Sequence, residues 1–214
     1  MPVINAKLAP AALLSLLLLG CSSEGQLTSA GVTAVRSACP SVGIPEPTGD
    51  ITLFDPPASR DASAIDVVAS MTNVRSTCTD AGENIVTTAT FDVQAIRRDA
   101  RGERDVVLPY FGTVVQAGTN VVSKSVGHVA LHFADGEVRA GGSGSATAQV
   151  LRSAATLPPA IQQEITRERK AGEAEAAVDP LSDPKVQAAV QRASFELLVG
   201  FQLTADQLAY NATR

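Results

Sequence analysis

The stretch NIVTTATFDVQAI, residues 84–96, decides the fold. Ile85, Ala89, Phe91, Val93 and Ala95 fall on one face of an extended chain, and Val86, Thr88, Thr90, Asp92 and Gln94 fall on the other. A period of two held over that length describes a strand with one buried and one wetted face. Working outward, similar runs occur in AIDVVASMTNVRSTC before it and in DVVLPYFGTVVQ, NVVSKSVGHVALHF and EVRAGGSGSATAQVL after it. The segments between them, DAGEN, QAGTN and ADGE, are built from residues that turns demand. Asp135-Gly136 in FADGEV marks a hairpin between two of the strands. A last strand, SFELLVGFQL, places Phe195, Leu197, Val199, Phe201 and Leu203 on one face. Six or seven short strands without interleaved helices predict an all-β fold, an antiparallel immunoglobulin-like β-sandwich.

Ahead of the last strand the composition changes. LPPAIQQEITRERKAGEAEAA follows a Pro pair with helix formers, but only Ile161 and Ile165 mark an apolar stripe. In DPKVQAAVQRA, Asp183 is an N-cap with Pro184 at the first helical position. A helical insertion at about 157–193 therefore interrupts the sandwich. Thr204 and Gln207 form a capping box for one closing helical turn.

The amino terminus gives an address. Lys7 is the only charged residue among the first twenty, and Leu8 to Leu19 form an apolar stretch broken only by Pro10 and Ser15. That is short of the roughly 20 apolar residues a helix needs to span a bilayer, and the layout matches an export signal. Its end, Leu18-Leu19-Gly20-Cys21, resembles the lipobox of bacterial lipoproteins. The resemblance implies cleavage before Cys21, acylation of its thiol with diacylglycerol and attachment to the lipid bilayer through several acyl chains, which together hold a protein stably. Ser22 and Ser23 follow where an Asp would mark inner-membrane retention, so the expected place is the periplasmic face of the outer membrane. The domain plan is a signal peptide at 1–20, a flexible tether at 21–38 and the sandwich at 39–214.

Among the three cysteines, Cys39 and Cys78 remain once Cys21 is assigned, and two cysteines in an exported chain predict a disulfide. The chain holds 17 Lys and Arg against 22 Asp and Glu, a formal net charge of −5, and one of those cations, Lys7, belongs to the leader. Nucleic acid is an unsuitable partner for such a chain, because its binding needs clustered cations. The dense run RRDARGERD, Arg97 to Asp105, is expected to be a solvated turn around Gly102.

No pattern points to catalysis, a cofactor or a metal. His128 and His132 in HVALH, on a strand, stand roughly 13 Å apart and share no metal ion. GGSGSA around Ser143 departs from the nucleophile elbow, since Ser145 replaces the second Gly. Without a Trp, and with Phe91, Phe195 and Phe201 facing inward, Tyr110, Phe111 and Tyr210 are the aromatics left for a surface, Phe111 being expected in the core. Pro109 within LPYFG marks an edge or a bulge, so Tyr110 and Phe111 form a candidate interaction edge for another chain.

FELLVGFQLTADQLAYN, from Phe195 to Asn211, together with LPYFG and VVSKSV, resembles a family of functionally uncharacterised alphaproteobacterial lipoproteins. Its members carry a lipobox, a cysteine-proline pair and a PYF strand before a terminal GFQL stretch. Here these are Cys21, Cys39-Pro40, Pro109-Tyr110-Phe111 and Gly200 to Leu203. The insertion around 157–192 departs from the family. The resemblance implies no catalytic residue. The expected function is a non-enzymatic accessory or scaffolding subunit of a cell-envelope assembly, with an envelope protein as partner. The alternative is a periplasmic binding module holding a small or lipidic ligand between its sheets.

Overall fold

The structure is a computed structural model that describes residues 37–167 and 178–213, with the backbone alone of the strands at 25–28 and 31–34. The expected signal peptide and Cys21 lie outside the described residues. Within the segment expected to be a tether, β1 (Gly25–Thr28) and β2 (Gly31–Ala34) pair antiparallel as a unit of their own.

The second unit is an antiparallel β-sandwich of two four-stranded sheets. Its strands are β3 (Ser41–Gly43), β4 (Asp50–Phe54), β5 (Ile65–Ala81), β6 (Asn84–Arg97), β7 (Arg104–Gln116), β8 (Asn120–Phe133), β9 (Arg139–Leu151) and β10 (Phe195–Phe201). One sheet has the order β3-β10-β7-β8 and the other β4-β5-β6-β9. Every pair is antiparallel except β3 and β10, the first and last strands of the sandwich. The alternation in residues 84–96 is realised: Phe91, Val93, Ala89 and Ala95 are buried and their neighbours are not. Phe133, Phe201, Leu108, Leu131 and Leu197 fill the space between the sheets from the other side. At about 25 cal/mol per Å² of apolar surface removed from water, this layer is the main driving force for the fold.

Three expectations are corrected. Asp135-Gly136 does reverse the chain, but β8 pairs with β7 while β9 pairs with β6. The turn therefore passes from one sheet to the other and makes no hairpin. Its geometry is held from outside by Arg97, which is 2% exposed. The guanidinium donates to the carbonyls of Gly102 (2.7 Å), Ala100 (2.7 Å), Ala134 (2.8 Å) and Glu137 (2.8 Å). The Gly102 amide meanwhile donates to the Asp135 carboxylate at 2.6 Å. So the second correction is that RRDARGERD is solvated only from Arg98 onward. Its first arginine is the clamp that joins the β6–β7 and β8–β9 connections.

The third concerns Pro109. β7 is bonded to β10 on one side and to β8 on the other, so Tyr110 and Phe111 stand inside a sheet and form no edge. Pro109 accepts a hydrogen bond through its carbonyl from the Gln202 amide (2.9 Å), one residue past the end of β10. In an antiparallel strand a residue's N–H and C=O face the same neighbour. The donor that proline lacks would point to where the β10 ladder stops, so it costs little there.

Cys39 and Cys78 are joined, with Cα atoms 6.2 Å apart. The bridge ties the chain ahead of β3 to the far half of β5. The helical insertion comprises α1 (Arg152–Ala155), α2 (Pro159–Thr166) and α3 (Pro184–Arg192), with 168–177 outside the described residues. Asp183 caps α3 by accepting from the Lys185 amide at 2.7 Å. Leu157, Ala189 and Ala193 make a small cluster with Ile161 and Ile165, separate from the main core. The capping box of Thr204 and Gln207 opens α4 (Ala205–Ala212), which runs two turns where one was expected. Tertiary contacts carry it on: Tyr210 meets the edge of Phe54 at 5.1 Å, and the Asn211 amide donates to the carbonyls of Pro47 and Asp50.

Candidate functional site

The surface with the strongest claim lies on β8. Its second half, from Val129, alternates buried and exposed residues, whereas Asn120 to Val126 is exposed throughout. β8 is the last strand of its sheet, so along that first half one row of backbone donors and acceptors meets no strand among the described residues. Val121, Val122 and Val126 are 59%, 50% and 54% exposed. Phe111, cross-strand partner of Val126, is half-buried instead of in the core, with the Lys124 ammonium 5.4 Å from its ring. An edge of this length that meets no strand among the described residues, with three exposed valines and Lys124, set over the Phe111 ring, as its one charge, is a template for adding a strand.

A second bare edge, along β5, is of a different kind. β4 reaches only Ser70 of β5, so Thr72 to Ala81 pairs on one side with β6. That stretch carries Arg75 and Asp80 and is tied down at Cys78, and such charged edges discourage strand addition.

A second feature lies at the seam where β8 and β9, the last strands of their sheets, approach each other. The small residues of GGSGSA belong here. A Cβ on Gly142 would come 2.6 Å from Val129 Cγ1. Further along, the strands part, and the gap is filled by Tyr110. Its ring packs edge-on against Phe91 at 5.0 Å and its hydroxyl donates to the Ser145 carbonyl at 2.8 Å. Gly127 opposite must be glycine, because a Cβ there would overlap the tyrosine ring. Above Tyr110 is a depression of about 430 Å³ lined by Asn73, Asp92, His128 and Ser143. Asp92 and Ser143 are direct cross-strand partners. Asn73 sits at a bulge in β5 with φ of 50°, a left-handed conformation asparagine tolerates, and its amide donates to Asp92 Oδ2 at 2.7 Å.

Sequence reasoning named His128, Ser143 and Tyr110 separately but could not bring them together with Asp92 and Asn73. They meet only because β8 and β9 converge from different sheets. No hydrogen bond joins His128 to Ser143 or to Asp92. His132 stands apart from His128, in a cluster of its own. Its Nδ1 is 2.8 Å from Asp105 and its Nε2 is 3.7 Å from Glu103. The hydrogen bond with Asp105, helped by the charges of both acids, raises the pKa of His132 above its ordinary value. Among the described residues no three His, Cys, Asp or Glu side chains gather to hold a metal ion.

A second depression, of about 470 Å³, lies between β4 and the start of α4, where Arg104 grips Asp66 with two hydrogen bonds of 2.7 and 2.6 Å. Arg60 and Asp206 pair across its mouth at 3.4 Å. Its charges are thus already satisfied by one another.

No family model, no curated protein and no solved structure matches this chain.

Proposed function

We propose that this chain is a membrane-anchored, non-enzymatic docking subunit of a bacterial cell-envelope assembly. Acylated Cys21 holds it to the periplasmic face of the outer membrane, and the first half of β8 receives an extended segment of an envelope protein. The observation that carries the reading is the edge Asn120–Val126, with Val121, Val122 and Val126 exposed and one side of the backbone meeting no strand among the described residues. It takes the place that sequence reasoning gave to Tyr110 and Phe111, of which Phe111 still flanks the strip. A ligand held between the sheets has less support, because aromatic and aliphatic side chains fill that layer.

The test is recovery of the lipidated protein from its native envelope in mild detergent, beside a variant with Val122→Lys and Val126→Lys. A stoichiometric partner that crosslinks to β8 and is lost from the variant, with unchanged thermal unfolding, is the expected result. A partner retained equally by both, or a protein that comes out alone, refutes the docking reading.

A further inference from the structure

The depression at the β8–β9 seam is not used by that reading, and its chemistry points elsewhere. Three polar side chains converge there without a side-chain partner in the described residues: the Oδ1 of Asp92, the hydroxyl of Ser143 and the imidazole of His128. Asp92 is aimed by the Asn73 amide, which occupies Oδ2 and leaves Oδ1 open. Asn73 is itself held in place, since its Oδ1 accepts from Arg75 Nε at 3.1 Å. Tyr110 stands at the floor, its ring fixed by edge-to-face contact with the buried Phe91. The volume of about 430 Å³ falls within the range of roughly 300–1,000 Å³ typical of small-molecule sites.

The lining selects among ligand classes. An anion would face the Asp92 carboxylate, and no arginine or lysine lines the depression; Arg75, bonded to Asn73 through its Nε, is not among the lining residues. A purely apolar ligand would strip water from a carboxylate, an imidazole and a hydroxyl without replacing their hydrogen bonds, which costs more than the contact returns. A neutral molecule rich in hydroxyls satisfies all three, because each hydroxyl both donates and accepts. A carboxylate oxygen can accept from one hydroxyl while imidazole and serine meet its neighbours. The half-buried Tyr110 ring offers apolar contact to the C–H groups of a sugar ring. We propose that the depression bounded by Asn73, Asp92, Tyr110, His128 and Ser143 is a binding subsite for a neutral saccharide. The bulge at Asn73 is then a positioning device: it turns the amide toward Asp92 and so fixes where the ligand's hydroxyl must lie. The inference is independent of the β8 edge and stands or falls without it.

The experiment is an amide NMR titration of the mature protein in a detergent without a sugar headgroup. Glucose, galactose, mannose and N-acetylglucosamine are the probes, with acetate and inorganic phosphate as controls. At least one sugar is expected to shift the amides of Thr90, Asp92, Ser143 and Ser145 saturably. Asp92→Asn is expected to weaken that binding about tenfold, and Ser143→Ala to weaken it less, both with unchanged melting. Val122→Lys on the docking edge leaves it intact. Failure of all four sugars to shift these amides overturns the proposal, as does an equal response to acetate or phosphate, or equal binding by both variants. Repeating the titration with phosphatidylethanolamine bicelles that carry a glucosylated lipid separates the two sources of such a headgroup. Tighter binding there than to free glucose assigns a lipid-borne sugar, and equal or weaker binding assigns a free one.

Discussion

Arg97 shows what a single side chain contributes beyond its pattern. A planar guanidinium with five donors is the group able to bind four carbonyls of two different loops at once. It has no acid partner in the clamp; the Phe133 ring lies 5.2 Å away. Arg97→Met would leave those carbonyls without donors, and a loss of about 2–4 kcal/mol is expected, read as a lower urea midpoint. Arg97→Lys should restore only part of it, because an ammonium cannot span both loops. His132 is a test of sign. Its pKa is raised in the folded state by Asp105 and Glu103, so the interaction stabilises fully below the unfolded pKa near 6.5 and is lost as pH rises through the folded value. In urea titrations between pH 5 and 8, the stability difference between the wild type and His132→Gln is expected to be largest at the acid end and to vanish at the alkaline end. A flat difference would mean the ion pairs contribute nothing.

At the scale of elements, the strands were legible and their neighbours were not. Residues 84–96 and 195–203 announced their buried faces through period-two alternation, which depends only on local geometry. Asp135-Gly136 announced a reversal, but the same turn serves a hairpin or a passage between sheets, and that choice rests with Arg97 and with the partner each strand finds. Pro109 was legible as a residue lacking a donor. Whether the gap falls on an outer edge or at the end of a neighbouring ladder depends on how far β10 extends. β3 and β4 went unread because they are short and set among Pro45, Pro47 and Gly49. The disulfide is the element-level constraint with the largest expected energy. Closing a loop with a sequence separation of 39 stabilises by about 4 kcal/mol in the chain-entropy model. Cys39→Ala with Cys78→Ala should lower the unfolding free energy by that order, measured by equilibrium denaturation, with reductant having no further effect on the variant.

For the whole molecule, the proposed anchor makes one clean prediction. Cys21→Ala should abolish the mass added by lipid and release the protein from the membrane fraction, and an unchanged mass would sink the lipoprotein reading. The candidate site was partly legible: His128, Ser143 and Tyr110 were each singled out from the sequence, and each had an ordinary explanation alone. The sequence by itself determined the strand pattern, the cysteine pair and the helix starts at Asp183 and Thr204, because each depends on spacing or residue chemistry within short range. Only the tertiary structure decided that β8 and β9 belong to different sheets, that β8 rather than β7 has the free edge, and that Asp92 faces the same depression as His128. Those are relations between segments far apart in the chain, set by which inward faces pack together, and no local pattern encodes them.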